Sequence, residues 1–238
     1  MRYFSMLILL LFFNFFSAHS QTIQVMIVTG GHDYDSLEFF QMFDKMDDLE
    51  YEHFIQPEAN REIAKNQAKD FDVIVFYDMW QNITPEEESA YLKMTREGKP
   101  LLFLHHSLVS YQKWPEFEKI IGGKYVEKAR GISDEDISSY EHDVWEYCSV
   151  ENYTPVTVGL RNLRFFDEIY INVRITDDVF PLLRISHPKS MKYLAWENRY
   201  NNSRILYIQP GHDKRTFQEP DYQKLLHQSI LYLSQNLN

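Results

Sequence analysis

Three short apolar runs in this 238-residue chain are each followed by histidine. The runs cover residues 25–29, 101–104 and 205–209, and the histidines after them are His32, His105, His106 and His212. Short apolar runs bounded by glycine, proline or polar residues are typical of buried strands in a parallel sheet. Because ligands of open α/β sheets bind beyond the carboxyl ends of the strands, these histidines are predicted to gather at one edge of one sheet. This pattern is typical of a functional site at the edge of the sheet rather than of histidines buried in a core.

The composition indicates one globular domain and argues against a nucleic-acid partner. A length of 238 residues is typical of a single domain with room for appendages, and 16% aromatic residues supply a sizeable core. The formal net charge of −11 repels phosphate backbones. We therefore expect no nucleic acid among the partners, and the sequence leaves a homo-oligomer open.

The first 20 residues have the pattern of a cleaved secretory signal. Arg2 supplies one positive charge before a mostly apolar stretch at residues 4–16, and Ala18–Ser20 offers small residues for cleavage. We therefore predict a signal peptide at residues 1–20 and a mature domain at residues 21–238. An uncleaved anchor is the alternative, but the apolar stretch is short for a membrane span of about 20 residues. No membrane attachment is expected after cleavage.

Cys148 is the only cysteine of the chain, so no intrachain disulfide can form. It lies in an alternating segment at residues 144–148, which is typical of a half-buried strand. A structural role is the simpler interpretation. The competing hypothesis, a cysteine hydrolase, requires Cys148 to be a nucleophile.

The order of the predicted elements indicates a parallel sheet with helices on both faces. Strands are predicted at residues 23–29, 51–55, 71–77 and 100–104. Thr84 and Pro85 form a strong helix start, because a capping hydroxyl precedes a proline at the first helical position. Alternation of strands and helices of this kind is typical of a parallel α/β sheet. After Tyr140, strand-like segments follow with little helix between them and predict antiparallel additions or a small flap, before a C-terminal helix at residues 220–233.

The turn after the fourth predicted strand is one of several segments that identify a family. The segments are Thr29–Asp33, Phe71–Asp78, Lys99–Leu108, Trp114–Phe117, Ile121–Gly123, Asp167–Tyr170 and Gly211–Asp213. Together they resemble the ThuA-like family, named for a protein of trehalose utilisation, from about Gln24 to Leu233. The resemblance implies a flavodoxin-like, class I glutamine amidotransferase-like α/β fold. In those amidotransferases the corresponding turn holds a nucleophilic cysteine; here it holds histidines, so glutamine amidotransferase activity is not expected.

The resemblance also implies a role in carbohydrate metabolism. Members of the family are associated with bacterial sugar metabolism, including the processing of 3-keto sugars, and a bacterial source implies that the exported protein is periplasmic. We therefore expect a small-molecule carbohydrate as the partner and an isomerase, lyase or hydrolase acting on a sugar or keto-sugar. The alternative is a non-catalytic carbohydrate-binding protein with a degenerate amidotransferase-like pocket.

Histidines and one carboxylate are the candidate catalytic residues. They are His32, His105, His106, Glu168 and His212. A histidine would remove a proton next to a carbonyl, since imidazole titrates near neutrality, and Glu168 would relay or stabilise charge. His105 and His106 are adjacent and are expected to point to different sides, with His106 favoured as the exposed one. Imidazole and carboxylate also suit a divalent metal such as zinc, but no compact metal motif is present, so the cofactor is left open.

Glycines, aromatic residues and one aspartate of the same loops are the candidate substrate-binding residues. They are Gly30, Gly31, Trp80, Tyr111, Trp114, Tyr170 and Asp213. Glycine permits close approach of a ligand to the backbone, and it also makes ordinary turns. Aromatic rings suit the apolar C–H face of a sugar, with loop packing as the alternative, and Asp213 could equally cap a helix.

Overall fold

The computed structural model describes residues 22–235. The predicted signal peptide at residues 1–20 lies outside the described residues. Among the helices of residues 22–235, none has the length and apolar character needed to cross a membrane.

The described part of the chain alternates strands and helices in its first half and is mostly β in its second. The strands are β1 (Ile23–Gly30), β2 (Leu49–Ile55), β3 (Val73–Asp78), β4 (Leu101–Leu104), β5 (Gly123–Lys124), β6 (Ser139–Val150), β7 (Leu163–Ile171), β8 (Arg174–Ile175), β9 (Phe180–Ile185), β10 (Tyr193–Tyr200) and β11 (Ser203–Ile208). The α-helices are α1 (Ser36–Asp44), α2 (Glu58–Ala64), α3 (Pro85–Arg96), α4 (Pro115–Ile121), α5 (Lys214–Phe217) and α6 (Pro220–Ser234). Short 3-10 helices cover Gln67–Asp70, His105–Val109 and Asp134–Asp136.

Nine strands form one sheet in the order β2-β1-β3-β4-β11-β10-β9-β6-β7. The first five strands of this order are parallel. The remaining four continue the sheet in antiparallel pairs, and β5 pairs with β8 in a separate ribbon. This topology confirms the predicted flavodoxin-like α/β fold with antiparallel additions in the C-terminal half.

Two consecutive side chains of β3 show that helices cover both faces of the sheet. The ring of Tyr77 lies 4.6 Å from that of Phe39 in α1 and 6.0 Å from that of Phe217 in α5. The ring of Phe76 instead lies 5.9 Å from that of Tyr91 in α3. Because adjacent residues of a strand point to opposite faces, α1 and α5 cover one face and α3 covers the other.

The core contains a carboxyl group without a partner on β6. Glu146 is fully buried, and within residues 22–235 neither of its carboxyl oxygens has a hydrogen-bond partner. Burial raises the pKa of Glu146 well above its ordinary value, and the nearby carboxylates of Asp167 and Glu168 raise it further. The protonated form is therefore the one that the folded protein favours.

We expect Glu146→Gln to raise the free energy of unfolding by about 1–3 kcal/mol at about pH 8. The pKa of this group is higher in the folded state than the ordinary value of about 4.3 in the unfolded chain, so wild-type stability falls as the pH rises above that value. Glutamine does not ionise, so its advantage should shrink towards about pH 4. Urea unfolding of both proteins across this range measures the effect. The exposed Glu52→Gln serves as the control, and an equal gain at both ends of the range would contradict the prediction.

Candidate functional site

The turn after β4 is the centre of the candidate site. His105 has a φ of +46°, a left-handed conformation that strains a residue other than glycine, and it begins a 3-10 helix. His105 and His106 are both buried, and both line the same cavity. They do not point to different sides as predicted, because the left-handed residue and the 3-10 helix replace the alternation of a strand.

The cavity next to this turn has a volume of about 220 Å³. Five histidines and two carboxylates line it: His32, His105, His106, His142, His212, Glu127 and Glu168. Its aromatic lining is formed by Trp80, Tyr125, Tyr140 and Tyr170. All five candidate catalytic residues of the sequence analysis therefore lie at one cavity, together with His142.

The structure brings together histidines that follow three different parallel strands. The ring of His32, after β1, lies 5.1 Å from that of His106, after β4. The ring of His212, after β11, lies 6.4 Å from that of His32 and 5.5 Å from that of His105. This convergence follows from the topology, because the carboxyl ends of parallel strands share one edge of the sheet.

Glu168 of β7 contacts three histidines at once. Its Oε2 lies 3.1 Å from Nε2 of His105 and 3.5 Å from Nδ1 of His212, and its Oε1 lies 3.4 Å from Nδ1 of His142. Burial alone would raise the pKa of Glu168, but the hydrogen bonds and charge attraction of His105 and His212 outweigh it and bring this pKa well below its ordinary value. Glu168 is therefore an ionised carboxylate in a largely buried position.

Backbone groups fix the orientation of His105. Its Nδ1 lies 2.7 Å from the carbonyl oxygen of Gln209. A carbonyl oxygen only accepts hydrogen bonds, so this contact places a proton on Nδ1. The Nε2 atom then faces Glu168. The backbone carbonyl of His105 in turn accepts a hydrogen bond of 2.9 Å from the hydroxyl of Tyr207.

The buried carboxylate of Asp167 holds the turn that carries His212. It accepts hydrogen bonds from the backbone nitrogen of Gly211 at 2.9 Å and from that of His212 at 3.2 Å. The hydroxyl of Thr216 in α5 also donates to it. The hydrogen bond with Glu168 raises the pKa of His212 and outweighs burial, which lowers it.

His32 and His106 differ from the other histidines in the partners of their rings. In the described residues, neither ring nitrogen of His106 has a hydrogen-bond partner, and Nδ1 of His32 has none. Burial lowers the pKa of both side chains, and the neighbouring histidines lower it further. Both imidazoles are therefore neutral near pH 7, and their unpaired nitrogens can bind a ligand in the cavity.

The structure brings only some of the candidate aromatic residues to the cavity. Trp80 is 55% exposed beside the cavity, and its Nε1 donates a 2.8 Å hydrogen bond to Glu127. The buried ring of Tyr170 lies 5.1 Å from that of His105. These two rings are positioned to contact a ligand.

Tyr111 and Trp114 belong to the core instead. Tyr111 is buried, and its hydroxyl donates a 2.8 Å hydrogen bond to the side chain of Asn60. The buried ring of Trp114 stacks on Phe117 at 6.3 Å. Among the described residues, neither side chain lines the cavity, because both are packed against α4 and the neighbouring rings.

The two candidate glycines and Asp213 have structural roles beside the cavity. A Cβ atom on Gly31, which has a φ of +85°, would lie 1.9 Å from the carbonyl oxygen of Met79, and one on Gly30 would lie 3.1 Å from Gln56. The missing Cβ atoms of both glycines therefore permit close packing of chain segments at this turn. Asp213 caps α5 by accepting a 2.8 Å hydrogen bond from the backbone nitrogen of Arg215.

His142 is a candidate residue that the sequence analysis did not select. Its ring lies 4.8 Å from that of His212. The pairing of β6 with β7 is irregular between Glu141 and Val144, and Asp143 within this bulge has a φ of +58°. A single histidine in a predicted strand gives no pattern in the sequence, so only the pairing of these two strands identifies it.

Comparisons with known proteins agree with this fold. The family model described as ThuA, trehalose utilisation, matches residues 24–233. A ThuA-like protein from Parabacteroides merdae superposes with a TM-score of 0.75 at 17% identity over 90% of each chain. A ThuA-like protein from Bacteroides uniformis gives 0.68 at 17% identity over 91% of this chain and 93% of that chain. PurLQS from Thermotoga maritima gives 0.56 at 14% identity over 90% of this chain and 100% of that chain.

No curated protein matches the chain. At the identities given above, the structural similarities show the fold alone. The family model, in contrast, covers most of the chain and includes every candidate catalytic residue. The chain therefore belongs to the ThuA family of trehalose utilisation.

Proposed function

We propose that this protein is an enzyme that acts on a sugar or keto-sugar through histidine acid/base chemistry. The observation that carries the proposal is the convergence of five histidines around one buried carboxylate in a cavity of about 220 Å³. The family indicates a carbohydrate-related role, and polar side chains converge with aromatic rings in this cavity, as they do in small-molecule sites.

Two features of the site favour catalysis over binding alone. A buried, ionised carboxylate such as Glu168 is costly unless several groups satisfy it, and the groups around it here are histidines, side chains that transfer protons near neutral pH. The left-handed backbone conformation of His105 is also unfavourable, and strained residues of this kind cluster at active sites. Neutral imidazoles with unpaired nitrogens, at His32 and His106, supply the base that proton abstraction needs.

The chemistry that best uses these groups begins at the carbon next to a carbonyl. His32 takes a proton from this carbon, and the electron pair of the broken C–H bond moves into the carbonyl to give an enediolate. The negative charge that forms on the carbonyl oxygen faces the His105–Glu168–His212 cluster. Return of the proton to the former carbonyl carbon, with transfer of the hydroxyl proton from the second oxygen to the first, completes an isomerisation. Departure of a substituent one carbon further, which leaves with its bonding electron pair and takes the proton that His32 holds, completes a β-elimination. Hydrolysis can follow when water adds to the eliminated product.

Deuterium exchange tests this proposal without knowledge of the product. Incubation with 3-keto glycosides in D₂O should place deuterium on the carbon next to the carbonyl, as seen by NMR. We expect His32→Ala to slow this exchange by a factor on the order of 10²–10⁴, because it removes the general base. His227→Ala is the control, since His227 pairs with Asp48 outside the cavity. Saturable binding of a keto-sugar in calorimetry without exchange or product would contradict catalysis and favour the carbohydrate-binding alternative.

A further inference from the structure

We propose that His105, Glu168 and His212 bind a divalent metal ion, with zinc as the ion that best suits these ligands, and that this ion holds a sugar carrying a hydroxyl next to a carbonyl. The inference rests on the proposed function, because it names the cofactor and the substrate class of the same cavity.

The spacing of the three side chains is that of metal ligands. Their ligand atoms all lie within 4.8 Å of one another. In a tetrahedral zinc site with bonds of about 2.0–2.1 Å, neighbouring ligand atoms are about 3.3 Å apart. Oε2 of Glu168 lies 3.1 Å from Nε2 of His105 and 3.5 Å from Nδ1 of His212, which are close to that separation. Two histidines and one glutamate are also a ligand set of catalytic zinc sites that keep a position open.

The orientation of His105 provides a second geometric argument. Its Nδ1 lies 2.7 Å from the carbonyl oxygen of Gln209, and this contact fixes the ring so that Nε2 lies 3.1 Å from Oε2 of Glu168. Nδ1 of His212 lies 3.5 Å from the same carboxylate oxygen, so three potential ligand atoms converge on one point. A ligand histidine whose other nitrogen donates to a backbone carbonyl is common at metal sites.

The open side of the cluster indicates the substrate class. His106 lines the same cavity, is buried, and has no partner for either ring nitrogen within the described range. His142 approaches the other carboxylate oxygen of Glu168 at 3.4 Å and lies outside the group of three converging ligand atoms. A sugar with a hydroxyl next to a carbonyl can bind the ion through both oxygens in a five-membered ring. His32 and His106 then remain free to move protons at the neighbouring carbons.

Metal titration tests the inference. Tag-free protein is treated with a chelator and titrated with Zn²⁺ by calorimetry and with Co²⁺ by visible absorption. We expect one ion per chain, and we expect His212→Ala and Glu168→Gln each to raise the Kd for Zn²⁺ at least about tenfold. His227→Ala is the control, because it removes a histidine that pairs with a carboxylate at 2.8 Å outside the cavity. This variant should bind Zn²⁺ as tightly as the wild type does. Thermal melts confirm folding; His212 is partly exposed and Glu168→Gln is nearly isosteric, so both variants are expected to fold.

The inference is overturned if the wild type binds no Zn²⁺, or if both variants bind it as tightly as the wild type. The deuterium-exchange assay separates this result from a failure of the proposed function. Exchange that persists in demonstrably metal-free protein, and that Zn²⁺ does not stimulate, would contradict a role for the metal and still support the proposed acid/base enzyme. Stoichiometric metal binding without exchange on any keto-sugar would support the metal site and contradict the proposed enzyme activity.

Discussion

Replacement of Glu168 by glutamine is expected to lower turnover of a keto-sugar by a factor on the order of 10²–10⁴ while the protein stays folded. Glu168 contacts His105, His142 and His212 within 3.5 Å, so one substitution disturbs most of the cluster. Glutamine keeps the length and nearly the volume of the side chain but removes its negative charge. The loss should therefore appear mainly in kcat, since the walls of the cavity stay in place.

A buried glutamate elsewhere provides the matched control. Glu197 of β10 is also largely buried, and it accepts a 2.7 Å hydrogen bond from Tyr232, away from the cavity. Glu197→Gln should retain wild-type turnover. Steady-state kinetics and thermal melts of both variants make the comparison. Equal losses in the two variants, or near wild-type kcat in Glu168→Gln, would mean that the cluster is not the reacting centre.

Local chemistry explains why much of the fold could be predicted from the sequence. The helix start at Thr84 is one example: its hydroxyl accepts a hydrogen bond from the backbone nitrogen of Glu87, and the Glu87 carboxylate accepts one from the backbone nitrogen of Thr84. Residues three positions apart suffice for this motif. The strand-end histidines were predictable for a related reason, since a parallel sheet places the ends of its strands together.

The cluster around Glu168 could not be predicted in the same way. In the sheet order, β10, β9 and β6 separate β7 from β11, yet Asp167 of β7 binds the backbone of Gly211 and His212 just after β11. The antiparallel strands must therefore curve back over the carboxyl edge of the parallel strands. Curvature of this kind depends on bulges and on packing between distant segments, and alternation along a strand does not encode it.

The aromatic candidates show a second reason. Tyr111 and Trp80 both follow strands of the parallel sheet, yet Tyr111 is buried and hydrogen-bonded while Trp80 is 55% exposed beside the cavity. Burial of an aromatic ring is favourable both in a protein core and against a sugar. The position of the ring in the sequence therefore does not separate the two roles.

The largest expected effect on stability is that of Phe103→Ala, which should lower the free energy of unfolding by about 3–5 kcal/mol. Phe103 is fully buried in β4, between β3 and β11. Its ring stacks on Phe76 at 4.7 Å and meets Phe117 of α4 edge-on at 5.6 Å. Alanine would leave a cavity where the sheet and α4 are packed together, and a close-packed interior relaxes only partly into such a space.

Urea unfolding of Phe103→Ala and of Phe180→Ala separates this packing effect from a general cost of losing an aromatic ring. Phe180 of β9 is 46% exposed, so its truncation should cost less than about 1 kcal/mol. Phe103 lies only two residues before His105, but its side chain does not line the cavity in the described structure. The folded fraction of Phe103→Ala should therefore keep most of its turnover at low temperature. Equal destabilisation by the two substitutions would show that β4 does not form the centre of the core.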